Sequence, residues 1–367
     1  MKSIIIAPRR YVQGKNVLAE AGTYVAMLGT KALILWDPIV KGLIGDTLLA
    51  SMAEAGVEAI PVDFNGETTH DEAARVAAIA KEAGVDAIIG CGGGKTLDTG
   101  KGAAVEIGAK IVTIPTIASN DSPTSAASVW YDADSMFLGF DCWPFNPDLV
   151  MVDTQVIANA PVRFLIAGMG DALSTWVECE SSMKTRPTNL PGGVPTQAAV
   201  ALSRLCFDIL MEDGIDAKRA VELNVVTPSV ERIVEANVLL SGLGFESGGL
   251  ATAHMIGNLL TGDPECKGLL HGEKVSFGVI SQLCLDDDIE TDYRNAIVDW
   301  QIAVGLPVTF EDLGMTNVDR ERLTSIADIC AGEGSLCGNH AFEVTTDGVI
   351  DAMIAADALG KERKAKA

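Results

Sequence analysis

Three separate stretches in the second half of this chain hold residues that could bind a metal. Asp171 stands in Asp171-Ala172-Leu173-Ser174-Thr175-Trp176, His254 ends Gly248-Gly249-Leu250-Ala251-Thr252-Ala253-His254, and His271 begins His271-Gly272-Glu273-Lys274. Two imidazoles and one carboxylate suit a catalytic divalent metal, because three protein ligands leave a coordination position open for substrate. Such donors accept Fe(II) as well as zinc. Spacing alone does not unite the three segments, and Asp171 is expected to open a helix, where an N-cap aspartate is commonplace.

The first half holds a second signal. Gly90-Cys91-Gly92-Gly93-Gly94-Lys95-Thr96-Leu97-Asp98 follows the apolar run Ala87 to Ile89. Glycines let the backbone approach a ligand, and amides at the start of the next helix can hold a diphosphate. The segment has neither the Rossmann GxGxxG spacing nor that of a P-loop. Asp37 ends the run KALILW, where its carboxylate could hold an adenosine ribose and repel a 2′-phosphate, favouring NAD over NADP; the plain alternative is a turn aspartate before Pro38. The loop Pro115-Thr116-Ile117-Ala118-Ser119-Asn120-Asp121-Ser122-Pro123-Thr124-Ser125 could line a nicotinamide and a polar substrate. His70 and His340 have no such partners in sequence and read as structural or solvated. Cys91 has only Lys95 nearby to lower its pKa and is not read as a nucleophile.

These residues need a scaffold. Up to about residue 155, candidate strands at 31–36, 59–64, 86–90, 110–114 and 149–153 alternate with helical patterns at 42–55, 71–84 and 97–108. That order predicts a parallel sheet covered on both faces. After Pro161 apolar residues recur at helical spacing (Phe164, Leu165, Met169, Leu173, Trp176, Val177), so the second half reads as helical. Gly/Pro clusters at 186–195 and 261–272 read as loops between helices, and the domain boundary is placed near 160.

Composition excludes several classes. With 367 residues, 48% of them hydrophobic, the chain has ample material for a core. Fifty acidic against 27 basic side chains give a net charge of −23, which repels nucleic acid and anionic membranes alike. The start, MKSIIIAPRR, has too short an apolar stretch for a signal peptide, and a cytoplasmic location is expected. The eight cysteines never form Cys-x-x-Cys, which argues for reduced thiols.

Taken in order, Tyr11-Val12-Gln13-Gly14, GGGKTLDT, PTIAS-x-D-x-P-T-S, GDALSTW, VVTPSVERIVEAN, LLSGLGFESGGL and HGEKVSFG resemble the glycerol dehydrogenase branch of the iron-containing alcohol dehydrogenase superfamily, over nearly the whole chain. The resemblance implies a dehydroquinate synthase-like architecture: an α/β NAD-binding domain with a parallel sheet (1–160) and an all-α metal-binding and catalytic domain (161–367), with the reaction in the cleft between them. It places the metal on Asp171, His254 and His271. Thr175 stands where iron-using members have a fourth, histidine ligand, which resembles the zinc-dependent glycerol dehydrogenases. It carries the cofactor contacts to Asp37, Gly94, Lys95, Asp98, Thr116, Ser119, Ser125 and Tyr131, and the substrate pocket to Asp121 and Phe245, with Asp121 counted beside the three ligands as catalytic. Departures fall at Asn120 and Ser122, at Gly257 in place of a second histidine, and at Glu333 to Asn339. Members often assemble into homo-octamers.

The implied reaction is reversible oxidation of a small vicinal diol, such as glycerol or 1,2-propanediol, to a hydroxyketone, by metal-assisted hydride transfer to NAD. No side chain is an evident proton acceptor, which leaves water or the cofactor ribose. Rival readings are a dehydrogenase or ketone reductase for another small hydroxy compound, a dehydroquinate-synthase-like lyase, and a relic without catalysis. The lyase would want several basic residues near the metal, where the sequence offers chiefly Lys267 and Lys274. The relic has no need of all three ligands.

Overall fold

The computed structural model describes residues 2–132 and 135–367. Its sheet has six strands among the described residues, in the order β1-β8-β5-β4-β2-β3, and each neighbouring pair is parallel. They are β1 (Tyr11–Gly14), β2 (Lys31–Trp36), β3 (Glu58–Asp63), β4 (Ala87–Gly92), β5 (Lys110–Pro115) and β8 (Leu149–Asp153). A separate antiparallel hairpin joins β6 (Ala127–Tyr131) to β7 (Phe137–Cys142). The five expected strands lie within two residues of their observed bounds, whereas β1 and the hairpin were not expected from the sequence.

Side-chain alternation explains the two covered faces. Ile34 and Trp36 of β2 pack with Ile44 and Leu48 of the helix Pro38–Glu54, while Leu33 and Leu35 pack with Val76 and Ala103 of the helices His70–Ala83 and Gly94–Ile107. The edge strand β3 carries Pro61, a residue that a sheet tolerates only where one side lacks a partner. The winding reverses between β2 and β4, so their carboxyl ends open on the crevice where such sheets bind ligands.

Beyond Asp153 the described residues are helical apart from loops and one isolated bridge between Ser3 and Val194. Val150 and Val152 of β8 share an apolar cluster with Leu173, Trp176, Leu210 and Val279, so the sheet and the helices are joined by continuous packing. Among the described residues no helix is long and apolar enough to cross a membrane.

Asp171 does not open a helix as expected. It lies inside the 24-residue helix Val162–Thr185. Gly168 and Gly170 within this helix are points of close approach: a Cβ on Gly168 would stand 1.8 Å from the Ala118 carbonyl oxygen, and one on Gly170 would stand 2.5 Å from that of Gly272.

Candidate metal and cofactor site

Three helices deliver the expected ligands to one point. Asp171 comes from the middle of Val162–Thr185, His254 from Thr252–Leu260, and His271 is the first residue of His271–Leu285. Their donor atoms all lie within 4.8 Å of one another. Asp171 Oδ1 is 3.4 Å from His254 Nε2 and 3.3 Å from His271 Nε2. Both Asp171 carboxylate oxygens are sealed from solvent and, among the described residues, accept no hydrogen bond, an arrangement that costs a few kcal/mol unless a cation satisfies them. The donor set therefore fits a divalent metal. Burial alone would raise the Asp171 carboxyl, but the charges of His271 and His254 hold it below the usual carboxylate range.

The spacing is set by backbone as well as side chains. A Cβ on Gly272 would stand 1.8 Å from the Ala167 carbonyl oxygen, so the start of the His271 helix lies directly against the turn before Asp171. Arg163 clamps the same junction, with Nε 2.6 Å from Glu273 Oε1 and a second nitrogen 2.7 Å from Oε2.

Sequence reasoning missed Glu178. It is fully buried two turns after Asp171, accepts hydrogen bonds from the amides of Ala251 (2.8 Å) and His254 (2.9 Å), and places Oε2 2.5 Å from His254 Nδ1. A carboxylate on Nδ1 fixes the proton there and turns Nε2 toward a metal. Burial opposes a charged His254, yet Glu178 and Asp171 together raise its pKa well above the ordinary value. The available signal was Asp171, Ser174 and Glu178 at i, i+3 and i+7, one face of a helix otherwise rich in apolar residues.

Asp121 reaches the same site from the loop after β5. Its Oδ2 accepts a hydrogen bond from Ser241 Oγ at 3.2 Å, and Ser241 in turn lies 3.0 Å from Thr175 Oγ1. The buried Thr175 hydroxyl is thus bonded to Ser241. Phe245 stacks on His254 with ring centroids 6.4 Å apart. Gly257, the departure from a second histidine, seats its helix against the next one: a Cβ there would lie 2.7 Å from a Val275 methyl and 2.9 Å from Val275 Cα.

The glycine cradle lies at the carboxyl end of β4. The helix Gly94–Ile107 begins with no side-chain cap, which leaves amides at its start for an anion. A Cβ on Gly94 would come within 2.6 Å of Asn120 Nδ2, so a side chain here would displace the Asn120 amide from the mouth of the cradle. These features fit a dinucleotide diphosphate. Lys95 flanks the cradle, with Nζ 2.6 Å from Glu67 Oε2 and 5.2 Å from the centroid of the Tyr131 ring.

Asp37 lies across the crevice and caps the helix Pro38–Glu54, its Oδ1 accepting from the amides of Ile39 (2.8 Å) and Val40 (2.9 Å). The turn role is therefore real, and both bonds fall on one oxygen. Thr116 and Ser119 are buried in the loop after β5. Asp98 and Ser125 sit behind the cradle around the buried Lys101: Lys101 Nζ is 2.8 Å from Asp98 Oδ1, Ser122 Oγ donates to Asp98 at 2.6 Å, and Ser125 Oγ lies 3.3 Å from Lys101 Nζ. Lys101 also donates to the Ala127 carbonyl, tying loop and hairpin to the helix. Sequence reasoning missed this lysine.

His340 is structural, with Nδ1 2.9 Å from Asp286 and Nε2 2.8 Å from Thr252 Oγ1, and His70 packs on Trp130. Cys91 is buried and its thiol is pushed up by that burial, which accords with an inert role.

Residues 8–154 match the model of the iron-containing alcohol dehydrogenases. The chain is 43% identical to a glycolaldehyde reductase of Halobacterium salinarum, over 98% of this chain and 99% of that one. It is 42% identical to a glycerol dehydrogenase of Citrobacter freundii over 99% of each. This chain belongs to the iron-containing alcohol dehydrogenase family. Its fold agrees: the crystal structure of glycerol dehydrogenase from Schizosaccharomyces pombe superposes with a TM-score of 0.94 at 35% identity, covering 100% of this chain and 93% of that one.

Proposed function

We propose that the chain is an NAD-dependent, metal-containing dehydrogenase that reversibly oxidises glycerol or a related small vicinal diol to a hydroxyketone, dihydroxyacetone in the case of glycerol. The observation that carries this reading is the Asp171 carboxylate, sealed from solvent and, among the described residues, accepting no hydrogen bond, within 3.4 Å of two imidazole nitrogens. A cation held by Asp171, His254 and His271 would supply Lewis acidity to the alcohol oxygen, and NAD in the cradle would accept the hydride.

The chain's own residues do the rest. Ser241 holds the Asp121 carboxylate in place, and the free oxygen of Asp121 accepts a hydrogen bond from a neighbouring hydroxyl of the diol. Phe245 walls the pocket beside His254 and keeps water from the reacting carbon. Gly94 and Lys95 take the diphosphate and Asp37 the ribose, while Thr116, Ser119 and Tyr131 line the path to the nicotinamide. Asp98 and Ser125 hold that path in shape from behind.

The reading includes two domains, 1–160 binding NAD and 161–367 binding the metal, with the site between them. Zinc is the proposed ion, supported by the engagement of Thr175 with Ser241 where a fourth ligand would stand; iron is the alternative. It also includes a cytoplasmic, homo-oligomeric enzyme, octameric by resemblance. Its support is the set of free cysteines and the exposed Leu138 and Phe145 at 60% and 53% accessibility. Light scattering showing only a 38.5 kDa particle would refute the oligomer.

A second reading, reduction of a small hydroxyaldehyde, is favoured by the 43% identity to the glycolaldehyde reductase. Both are tested by metal analysis together with steady NADH formation or consumption on glycerol, 1,2-propanediol, 2-propanol, dihydroxyacetone and glycolaldehyde. No net redox turnover on any of them would overturn the dehydrogenase.

A further inference from the structure

The loop from Thr116 to Ser125 carries Asp121 and residues proposed to line the path to the nicotinamide, yet it has little main-chain bonding of its own. Among the described residues its amides make two main-chain hydrogen bonds, Thr116 to the Gly92 carbonyl at 3.1 Å and Thr124 to that of Asp121 at 3.4 Å. Its shape is therefore set largely by groups on other elements. Lys101 holds the far end from within the α/β half, at Ser122, Ser125 and Ala127. The near end is held from the helical half by Asn237.

Asn237 lies in the π-helical turn Ala236–Leu240 and is fully buried. Its Nδ2 donates to the Ala118 carbonyl at 3.0 Å and to the Leu165 carbonyl at 3.1 Å. Ala118 stands between Thr116 and Ser119 in the loop, and Leu165 belongs to the helix Val162–Thr185, which bears Asp171. One planar NH2 group thus ties the main chain of the loop to the main chain of the ligand helix. The other side of the amide is unused: Oδ1 is sealed from solvent and, among the described residues, accepts no hydrogen bond. The side chain leaves one buried acceptor unmade in order to deliver two donors. The same turn meets the loop again through the Val238 carbonyl, which accepts from Thr124 Oγ1 at 2.6 Å, and just beyond it Ser241 bonds to Asp121.

We propose that Asn237 is a positioning residue for hydride transfer, setting how far the loop beside the nicotinamide stands from the helix that carries Asp171. This rests on the NAD reading above. Reacting atoms must come to about 3 to 3.5 Å, and a misplacement of about 1 Å slows such a step roughly a hundredfold. The two bonds of Asn237 go to main-chain oxygens, and to neither a metal ligand nor a side chain proposed for the cofactor. Losing them should therefore slow the chemical step and spare the binding of metal and dinucleotide.

The test compares wild type with Asn237→Leu, which keeps the bulk without a donor, and Asn237→Ser, whose hydroxyl is too short to serve both carbonyls. Bound metal, NADH affinity by fluorescence titration, kcat, KM for NAD and for the best alcohol of the panel above, and the primary deuterium isotope effect on kcat are measured for each. In Asn237→Leu kcat should fall about ten- to a hundredfold while bound metal, NADH affinity and both KM values stay near those of wild type. The isotope effect should rise, because hydride transfer then limits turnover rather than product release. Asn237→Ser should show the same split in smaller size. Wild-type kcat and isotope effect in either folded variant would overturn the assignment, as would a fall in kcat matched by loss of bound metal or NADH affinity, which marks a structural role alone. A wild type that neither binds NADH nor turns over any substrate of the panel would instead overturn the NAD reading itself.

Discussion

Glu178 and Asp171 hold His254 from opposite sides: Glu178 Oε2 is 2.5 Å from Nδ1 and Asp171 Oδ1 is 3.4 Å from Nε2. The imidazole is thereby fixed in both tautomer and direction by two carboxylates of one helix. Glu178→Gln tests that arrangement. With the glutamine oxygen kept by the two amides, its NH2 faces Nδ1, which must then accept, and the proton moves to Nε2 where the metal should bind. Metal affinity should fall about ten- to a hundredfold, measured by competition with a chelating dye. An unchanged affinity would show that Glu178 does not set the tautomer.

His254→Ala removes a ligand outright and should lose both bound metal and turnover. Full retention of the two would remove His254 from the metal site.

Preference for NAD over NADP should depend on Asp37. Asp37→Gly is the informative change, because it removes the carboxylate while glycine at an N-cap costs only a few tenths of a kcal/mol. The ratio of kcat/KM for the two cofactors should narrow while thermal stability barely moves. A wild type that prefers NADP would end this idea.

The parts of the molecule that were legible in the sequence are those whose signal is local. KALILW and LVMVD are read as strands because residues buried on both faces form unbroken apolar runs, and they appear with the expected bounds. The Tyr11–Gly14 strand is too short and too mixed to stand out, and the β6/β7 hairpin is interrupted by Gly139 and Asp141. The helix after the cradle begins at Gly94, three residues before the expected 97, because its first turn is shaped by the cradle rather than by helix-favouring residues. Glu178 and Lys101 were illegible for a different reason. A buried charge is understood only from its partners, and those of Glu178 lie more than 70 residues away.

Asp121 should read the second hydroxyl of a diol. Removing that acceptor leaves a desolvated hydroxyl and should cost about 1 to 3 kcal/mol, or roughly five- to 150-fold in kcat/KM, on glycerol and 1,2-propanediol. The loss on 2-propanol should be smaller. Equal losses on all three in Asp121→Ala would show that this carboxylate does not distinguish them.

Glu246 gives a stability signature. It joins the helix Ser241–Gly248 to the segment before β6, accepting from the Ala126 amide at 2.9 Å and Asn146 Nδ2 at 2.5 Å, and burial pushes its carboxyl up from 4.5 to about 7. The folded chain then binds a proton more readily than the unfolded one, so this group's contribution to stability is greatest below pH 4.5 and is lost as pH rises to about 7. The full change is on the order of 3 kcal/mol. The Tm of wild type minus that of Glu246→Gln should fall between pH 5 and 7.5, and parallel curves would rule the effect out.

The contact of Gly170 and Gly272 bears on how the site discriminates among ions. Each glycine adjoins a ligand, and each meets main-chain atoms of the other helix with no room for a methyl group. Two of the three ligands are therefore mounted on a rigid calliper whose opening is fixed by peptide backbone, which cannot yield as a rotamer can. An ion of larger radius would have to pry the helices apart to enter. Divalent ions should then rank here by size, beyond what the softness of nitrogen and oxygen donors dictates.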